Sequence, residues 1–337
     1  CDEDQGGMGL SRLDAALIFE QMAAGCTSTT AFITIHNMAT WMLSRFGSEA
    51  VRQRWNGPLM SGEALASYCL TEPGAGSDAA SLKTSARRDG DEWVINGSKW
   101  FITGAEGAMM GLAMVTTDAD AAPHDRQSII IVPAETPGYV IEKSTPIMGH
   151  PGASIMCYCE IRFDECRVPL TNLLGEEGLA FRMAQARLGP GRIHHGMRTI
   201  GVAEEALAAM AARLTSRVAF GKRIADHSVW EQRIARARID IEMSRLLCLK
   251  AADMMDRAGN KAAQLEIAMI KVQAPAMALK ILDDAIQAHG GGGVSQDFFL
   301  AHAWAGLRTL RFADGPDEVH ARAIARAEFG KYAAPTP

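Results

Sequence analysis

The chain has 337 residues, 48% of them hydrophobic, and a formal net charge of −5, enough length and apolar content for a large core and two or three domains. Mild acidity, with no basic stripe interleaved with aromatics, argues against a nucleic-acid partner. No apolar run is long enough to span a membrane, and the opening Cys1-Asp2-Glu3-Asp4-Gln5 does not read as a signal peptide.

Residues 1–65 read as helical. Gly6-Gly7-Met8-Gly9 is a turn, Ser11 with Asp14 makes an N-terminal cap, and Leu13, Leu17, Ile18 and Met22 recur at helical spacing. A second helix is expected from near Thr29 to before Gly47. The opening reads as an inter-helix loop, so further sequence is expected upstream.

From 66 to 175 the pattern changes to strands. Tyr68 and Leu70 end an apolar strand, and Thr71 to Asp78 follow as a loop. Asn96-Gly97, set between two apolar runs, predicts a hairpin turn. Residues 111–117, 128–132 and 155–163 are further short apolar runs, with a surface loop at 118–127. Strands that follow one another without helices argue for an antiparallel sandwich or barrel. Cys157 and Cys159 alternate along one of them and share a face. The seven cysteines follow no disulfide or zinc spacing, which favours a reducing compartment.

From 176 to 332 the chain returns to helix. Residues 229–257 carry a stripe through Ile234, Ile241 and Leu249, and 262–288 are apolar on most faces despite Pro275. The glycine run Gly290 to Gly293 ends that helix, and 333–337 form a tail. The class is α+β: N-terminal helices, a central β domain and C-terminal helices.

The loop Thr71 to Asp78 carries chemistry. Gly74 and Gly76 let the backbone approach a flat or charged ligand, and Thr71 and Ser77 offer hydroxyls. Thr71-Glu72-Pro73-Gly74 alone is an ordinary turn. The whole run Tyr68-Cys69-Leu70-Thr71-Glu72-Pro73-Gly74-Ala75-Gly76-Ser77-Asp78 resembles the flavin-binding loop of the acyl-CoA dehydrogenase family. The resemblance implies that family's architecture, with a C-terminal four-helix bundle, and FAD as cofactor. It assigns Tyr68, Leu70, Thr71, Gly76 and Ser77 to the flavin, Ser77 also reaching the substrate. Trp100-Phe101-Ile102-Thr103 resembles the second flavin segment, with Phe101 over the isoalloxazine face and Thr103 at its reactive edge. Arg217-Val218-Ala219-Phe220-Gly221-Lys222 resembles a segment that serves a neighbouring subunit's FAD through Arg217 and Phe220, and a guanidinium suits a pyrophosphate. Ala219 and Ser228 stand where the family often has a hydroxyl and a glutamine. Gln287, Gly290 and Gly291 resemble the third segment, while Pro316 and Glu318 fall where adenine is contacted. A homodimer or homotetramer, with electron-transfer flavoprotein as electron acceptor, is implied with these.

Gly189-Pro190-Gly191-Arg192 resembles the substrate segment, Arg192 being the contact. Some members carry their catalytic glutamate just before this arginine; Gly191 stands there instead. His194 and His195 are adjacent on a helix and point in different directions, which argues against a metal. In Phe312-Ala313-Asp314-Gly315-Pro316-Asp317-Glu318-Val319-His320, Asp314 occupies the place of the usual base glutamate. Gly315 and Arg326 are further substrate contacts by the same resemblance, and Ala321 replaces an arginine. The alternative reading makes Asp314 a helix N-cap before Pro316.

Residues 1–90 look most like isobutyryl-CoA dehydrogenase, and those after about 145 like the branch with members fused to a kinase-like domain. The reaction implied is α,β-dehydrogenation of an acyl-CoA, in fatty acid or branched-chain amino acid catabolism, with Asp314 taking the α-proton. The compartment implied is bacterial cytoplasm or, in a eukaryote, the mitochondrial matrix. A flavin oxidase resembling nitroalkane oxidases, which also use an aspartate, and a non-catalytic CoA-binding homologue are the alternatives.

Overall fold

The computed structural model describes residue 1, residues 3–152 and residues 157–332; the start of the expected 155–163 run and the 333–337 tail lie outside the described residues. Three helices open the chain: α1 (Arg12–Gly25), α2 (Thr27–Phe46) and α3 (Glu49–Ser61). A reciprocal capping box starts α1, the Ser11 hydroxyl accepting from Asp14 N–H while the Asp14 carboxylate accepts from Ser11 N–H. Ser48 caps α3, and Gly62 stops it in the left-handed conformation. The chain divides into two compact units, one of Cys1–Leu10 with Phe32–Leu188, the other of Ser11–Ala31 with the chain from Gly189 onward.

The first unit holds one eight-stranded sheet, β1 (Ala66–Cys69), β2 (Ser85–Asp89), β3 (Glu92–Thr103), β4 (Met110–Thr116), β5 (Gln127–Pro133), β6 (Tyr139–Ser144), β7 (Tyr158–Pro169) and β8 (Leu173–Leu174), in the order β6-β7-β3-β2-β4-β5-β8 with β1 beside β4. Pairing is antiparallel except for β1 on β4 and a single Ser85–Thr116 bridge between β2 and β4. Strand β4 is apolar on both faces. Met110, Leu112 and Met114 pack with Met42, Leu43, Trp55 and Leu59 of the helices. Ala113 and Val115 turn the other way, onto Trp93, Ile95, Ile161 and Phe163. The sheet therefore curls over a core of its own and offers its second face to helices, the sandwich logic of alternating side chains.

Asn96-Gly97 is not a hairpin turn. Strand β3 runs through it without a break, and the reversal between β2 and β3 falls at Gly90-Asp91. Asn96 faces a bulge in β7, which gains a residue between the Ile95–Cys166 and Gly97–Phe163 pairs. Glu165 stands in that bulge at φ 44°. Its N–H donates to Asn96 Oδ1 at 2.9 Å, and its carboxylate accepts from Asn96 Nδ2 at 2.7 Å. A Cβ at position 97 would lie 2.7 Å from Thr84 Cα. The glycine serves a close backbone approach.

The second unit is built on the long helices α4 (Ala180–Ser216, from Gly189), α5 (Ser228–Ala258) and α6 (Gln264–His289), with α7 (Leu300–Arg308) and α8 (Asp317–Gly330). A two-stranded hairpin, β9 (Val218–Ala219) with β10 (Lys222–Arg223), joins α4 to α5. Helix α1 belongs here: the Asp256 carboxylate accepts from the N–H groups of Arg12 and Leu13 at 2.8 and 3.0 Å, a favoured place for an anion. Phe19 stacks on His194 at 4.2 Å, and buried Glu20 receives Arg245. That choice of partners turns Ala16, Phe19, Glu20 and Ala23 inward and leaves Leu17 and Ile18, two of the residues that recur at helical spacing, exposed. On α5 the buried line is Ala237, Ile241, Ser244, Cys248 and Met255, with Ile234 and Leu249 at its margin.

Candidate functional site

In the first unit, β1 carries the chain through Leu70 into a tight loop closed by Glu72 and Ala75, whose N–H and C=O groups pair at 2.9 and 3.2 Å. The Glu72 carboxylate turns inward and accepts from Lys83 N–H at 2.7 Å, Thr84 N–H at 2.9 Å and Lys99 Nζ at 2.8 Å. Lys99 also donates to the carbonyls of Leu70 at 3.1 Å and Met114 at 2.6 Å. Burial lowers the Lys99 pKa while Glu72 opposes it, and burial pushes Glu72 up until Lys99 brings it net below its ordinary value. Together they pin the loop.

Trp100 N–H donates to Thr71 C=O at 2.7 Å, which ties the loop to β3. Strand β3 then bulges, gaining a residue between the Lys99–Ile161 and Ile102–Cys159 pairs. Phe101 sits in this bulge at φ 56°, its ring 4.2 Å from that of Trp100 and 41% exposed. A bulge re-aims a side chain, and here it presents an aromatic face beside the Thr71 loop and Thr103. Gly76 and Ser77 lie exposed on that loop. Tyr68 is buried, with the Arg187 guanidinium 4.4 Å over its ring.

In the second unit, Asp314 is left-handed at φ 56° between a 3₁₀ turn (Thr309–Arg311) and α8. The helix cap is Pro316, with no side-chain cap bond, so Asp314 does not cap α8. Its carboxylate Oδ2 lies 3.0 Å from His195 Nε2, and its carbonyl accepts from Arg192 Nε at 3.0 Å and His320 Nε2 at 3.3 Å. Gly315 follows at φ 106°, where a Cβ would come within 2.9 Å of His320 Nε2. Arg198 reaches the other nitrogen of His195 at 3.2 Å. Burial pushes His195 and His320 down to about 4, and His194, stacked on Phe19, to about 3. Buried Lys271 donates to the Leu310 carbonyl and is lowered by burial to about 8, against the pull of Asp314 and Asp317. Arg192, His195, Lys271, His320 and Asp314 are thus one cluster, and the adjacent imidazoles diverge.

The remaining candidates are presented at edges. Phe220 is fully exposed at the tip of the β9–β10 hairpin at φ 51°, beside exposed Arg217. Gln287, Gly290 and Gly291 line the exposed end of α6; Pro316 is half-buried, and Glu318 and Arg326 are exposed on α8.

Models of the N-terminal, middle and C-terminal domains of acyl-CoA dehydrogenases match residues 1–63, 67–166 and 178–329. The chain belongs to the acyl-CoA dehydrogenase family. Members are FAD-dependent oxidoreductases that act on acyl-CoA. The probable acyl-CoA dehydrogenase FadE2 of Mycobacterium tuberculosis is 48% identical over 86% of this chain and 72% of its own length. Human acyl-CoA dehydrogenase family member 11 is 45% identical over 95% of this chain, which spans only 42% of that protein. The solved structure of a candidate acyl-CoA dehydrogenase from Mycobacterium abscessus superposes with a TM-score of 0.93 at 40% identity, covering 98% of this chain and 82% of that one. The match to the human relative runs through both halves of the chain.

FAD fits the donors of this acyl-CoA dehydrogenase. An outward-facing aromatic in a bulge, next to a hydroxyl-rich loop pinned by an ion pair, suits a flat heterocycle with polar edges. Sequence reasoning missed Glu72, Lys99, Arg198, Lys271 and the role of His195. The available signal for Lys99 was its parity with the inward-facing Trp93 and Ile95 on β3.

Proposed function

We propose that the chain catalyses α,β-dehydrogenation of an acyl-CoA thioester, with Asp314 as the base that removes the α-proton. The observation that carries this is Asp314 itself: a carboxylate in a left-handed turn, hydrogen-bonded by His195 and backed by Arg192 and His320 through its carbonyl. That arrangement belongs to a positioned group rather than to a helix cap. When bound, FAD supplies the acceptor for the β-hydride. Thr71, Phe101 and Thr103 hold and cover the flavin in this reading, and Arg217 and Phe220 serve the FAD of a second copy of the chain. Arg326 and Ser77 contact the acyl-CoA. The Asp314 N–H meets the thioester oxygen and stabilises charge that develops there, as an oxyanion donor does. Electrons leave through an electron-transfer flavoprotein.

The test is anaerobic titration of the FAD-loaded protein with a panel of acyl-CoAs, following flavin bleaching, with nitroethane as the oxidase arm. Asp314→Asn keeps the shape and removes the basic oxygen, and is expected to slow flavin reduction by roughly 10²–10⁴ while FAD and acyl-CoA still bind. An unchanged rate in that variant rules Asp314 out as the base. Asp314→Glu is expected to be slower than the parent, because Oδ2 already lies 3.0 Å from the imidazole and an extra methylene drives the carboxylate into it.

A further inference from the structure

We propose that His195 is the positioning residue for Asp314: a neutral imidazole, locked in one tautomer by Arg198, that orients the carboxylate. The inference rests on Asp314 being the base of the proposed reaction.

The tautomer follows from donor chemistry. A guanidinium has only N–H groups to offer and no acceptor. Arg198 Nη2, 3.2 Å from His195 Nδ1, therefore donates, and Nδ1 contributes its lone pair. The ring proton is then on Nε2, which donates to Asp314 Oδ2 at 3.0 Å. Adding a second proton would put an N–H on Nδ1 directly against Arg198. The ring is nine-tenths or more buried, and Arg198 and Lys271 both oppose a positive charge on it. His195 is consequently a one-way donor that neither gives up nor gains a proton as the base works.

The imidazole takes one of the roughly four lone-pair sites of the carboxylate, through a hydrogen bond strengthened by the guanidinium behind it. It also fixes the short side chain in rotation, which matters because a misplacement of about 1 Å can cost ~10²-fold. The left-handed backbone at Asp314 and the clamp on its carbonyl fix the rest of the residue.

Two measurements on the FAD-loaded full chain test this. The first is nitrogen-15 NMR of histidine-labelled protein, with the His195 signals assigned by their loss in His195→Gln. Between pH 8 and 5, Nδ1 is expected in the unprotonated range and Nε2 in the protonated range, the latter shifting in Asp314→Asn. A protonated Nδ1, or an Nε2 signal indifferent to Asp314→Asn, overturns the proposal. The second is anaerobic flavin bleaching by butyryl-, isobutyryl- and octanoyl-CoA in the parent, His195→Leu, His195→Gln and Asp314→Asn proteins. His195→Leu is expected to lose ~10²-fold in the reduction rate with acyl-CoA affinity unchanged. Its acid limb moves to higher pH, since removing a hydrogen bond to the charged form raises the pKa. Glutamine restores a donor and recovers at least tenfold of that loss. Parent-like rate and pH profile in His195→Leu overturn the inference, as do equal losses in both variants with no pH movement. If Asp314→Asn alone is unimpaired, the base assignment has failed. If none of the three thioesters bleaches the parent, the dehydrogenase reading has failed, and the NMR result still decides the dyad.

Discussion

The ammonium of Lys99 lies 2.8 Å from the Glu72 carboxylate, with both side chains buried in the first unit. Because Glu72 is in the flavin loop and Lys99 one residue before the Trp100 N–H that holds Thr71, the pair ties binding geometry to stability. Lys99→Met leaves a buried carboxylate without its cation, an error that typically costs ~3–5 kcal/mol. Chemical denaturation should show a loss of that size, accompanied by lower flavin content. The double change Lys99→Met with Glu72→Gln should recover part of the stability but not the FAD affinity. Full flavin retention in Lys99→Met would show that the loop is held by something else.

Buried histidines set a pH dependence. His194, His195 and His320 stay neutral in the fold down to about 3, 4 and 4, whereas each begins from an ordinary value of 6.5. Between those values the unfolded chain binds more protons than the folded one, so stability falls as pH drops from about 7 toward 4. Among the described residues, neither nitrogen of His194 has a hydrogen-bond partner, and the ring lies flat on Phe19. His194→Phe should therefore keep the stack and flatten the slope. Denaturation midpoints at pH 7.5 and pH 5 check this, and parallel slopes for parent and variant would count against it.

Gly315 allows the base turn to close over His320. A methyl there meets His320 Nε2 at 2.9 Å on a backbone at φ 106°, so Gly315→Ala should destabilise by about 1–3 kcal/mol. It should also displace Asp314 and slow flavin reduction by ~10²-fold. Rapid-reaction spectroscopy beside thermal melting separates the two effects; an unaffected rate would mean that the turn is not tuned for position.

The β9–β10 hairpin carries Phe220, fully exposed, and Arg217. If it serves a second copy's cofactor, Arg217→Ala should weaken FAD retention without lowering the melting temperature of the flavin-free chain. Light scattering should find the FAD-loaded protein at least dimeric. A monomer that holds one FAD per chain contradicts this.

Local chemistry was legible in the sequence. The capping box of Ser11 and Asp14, the helix that stops at Gly290, and the order of helices, strands and helices all depend on bonds between residues a few positions apart. Asp314 could be singled out by its motif, and the divergence of His194 and His195 by helix geometry. What they face could not. The partner of Asp314 lies 119 residues away, and the partner of Lys99 is 27 residues back across a turn. Asn96-Gly97 has the composition of a hairpin, yet pairing with β7 carries the strand through it, because a bulge on the other strand supplies the partner for Asn96. Phe101 faces outward only because β3 gains a residue there. On α1, Leu17 and Ile18 yielded the inward face to Phe19 and Glu20, which found His194 and Arg245. Register, bulges and the pairing of buried charges are settled by contacts distant in sequence, whose energies do not exist until the chain has folded.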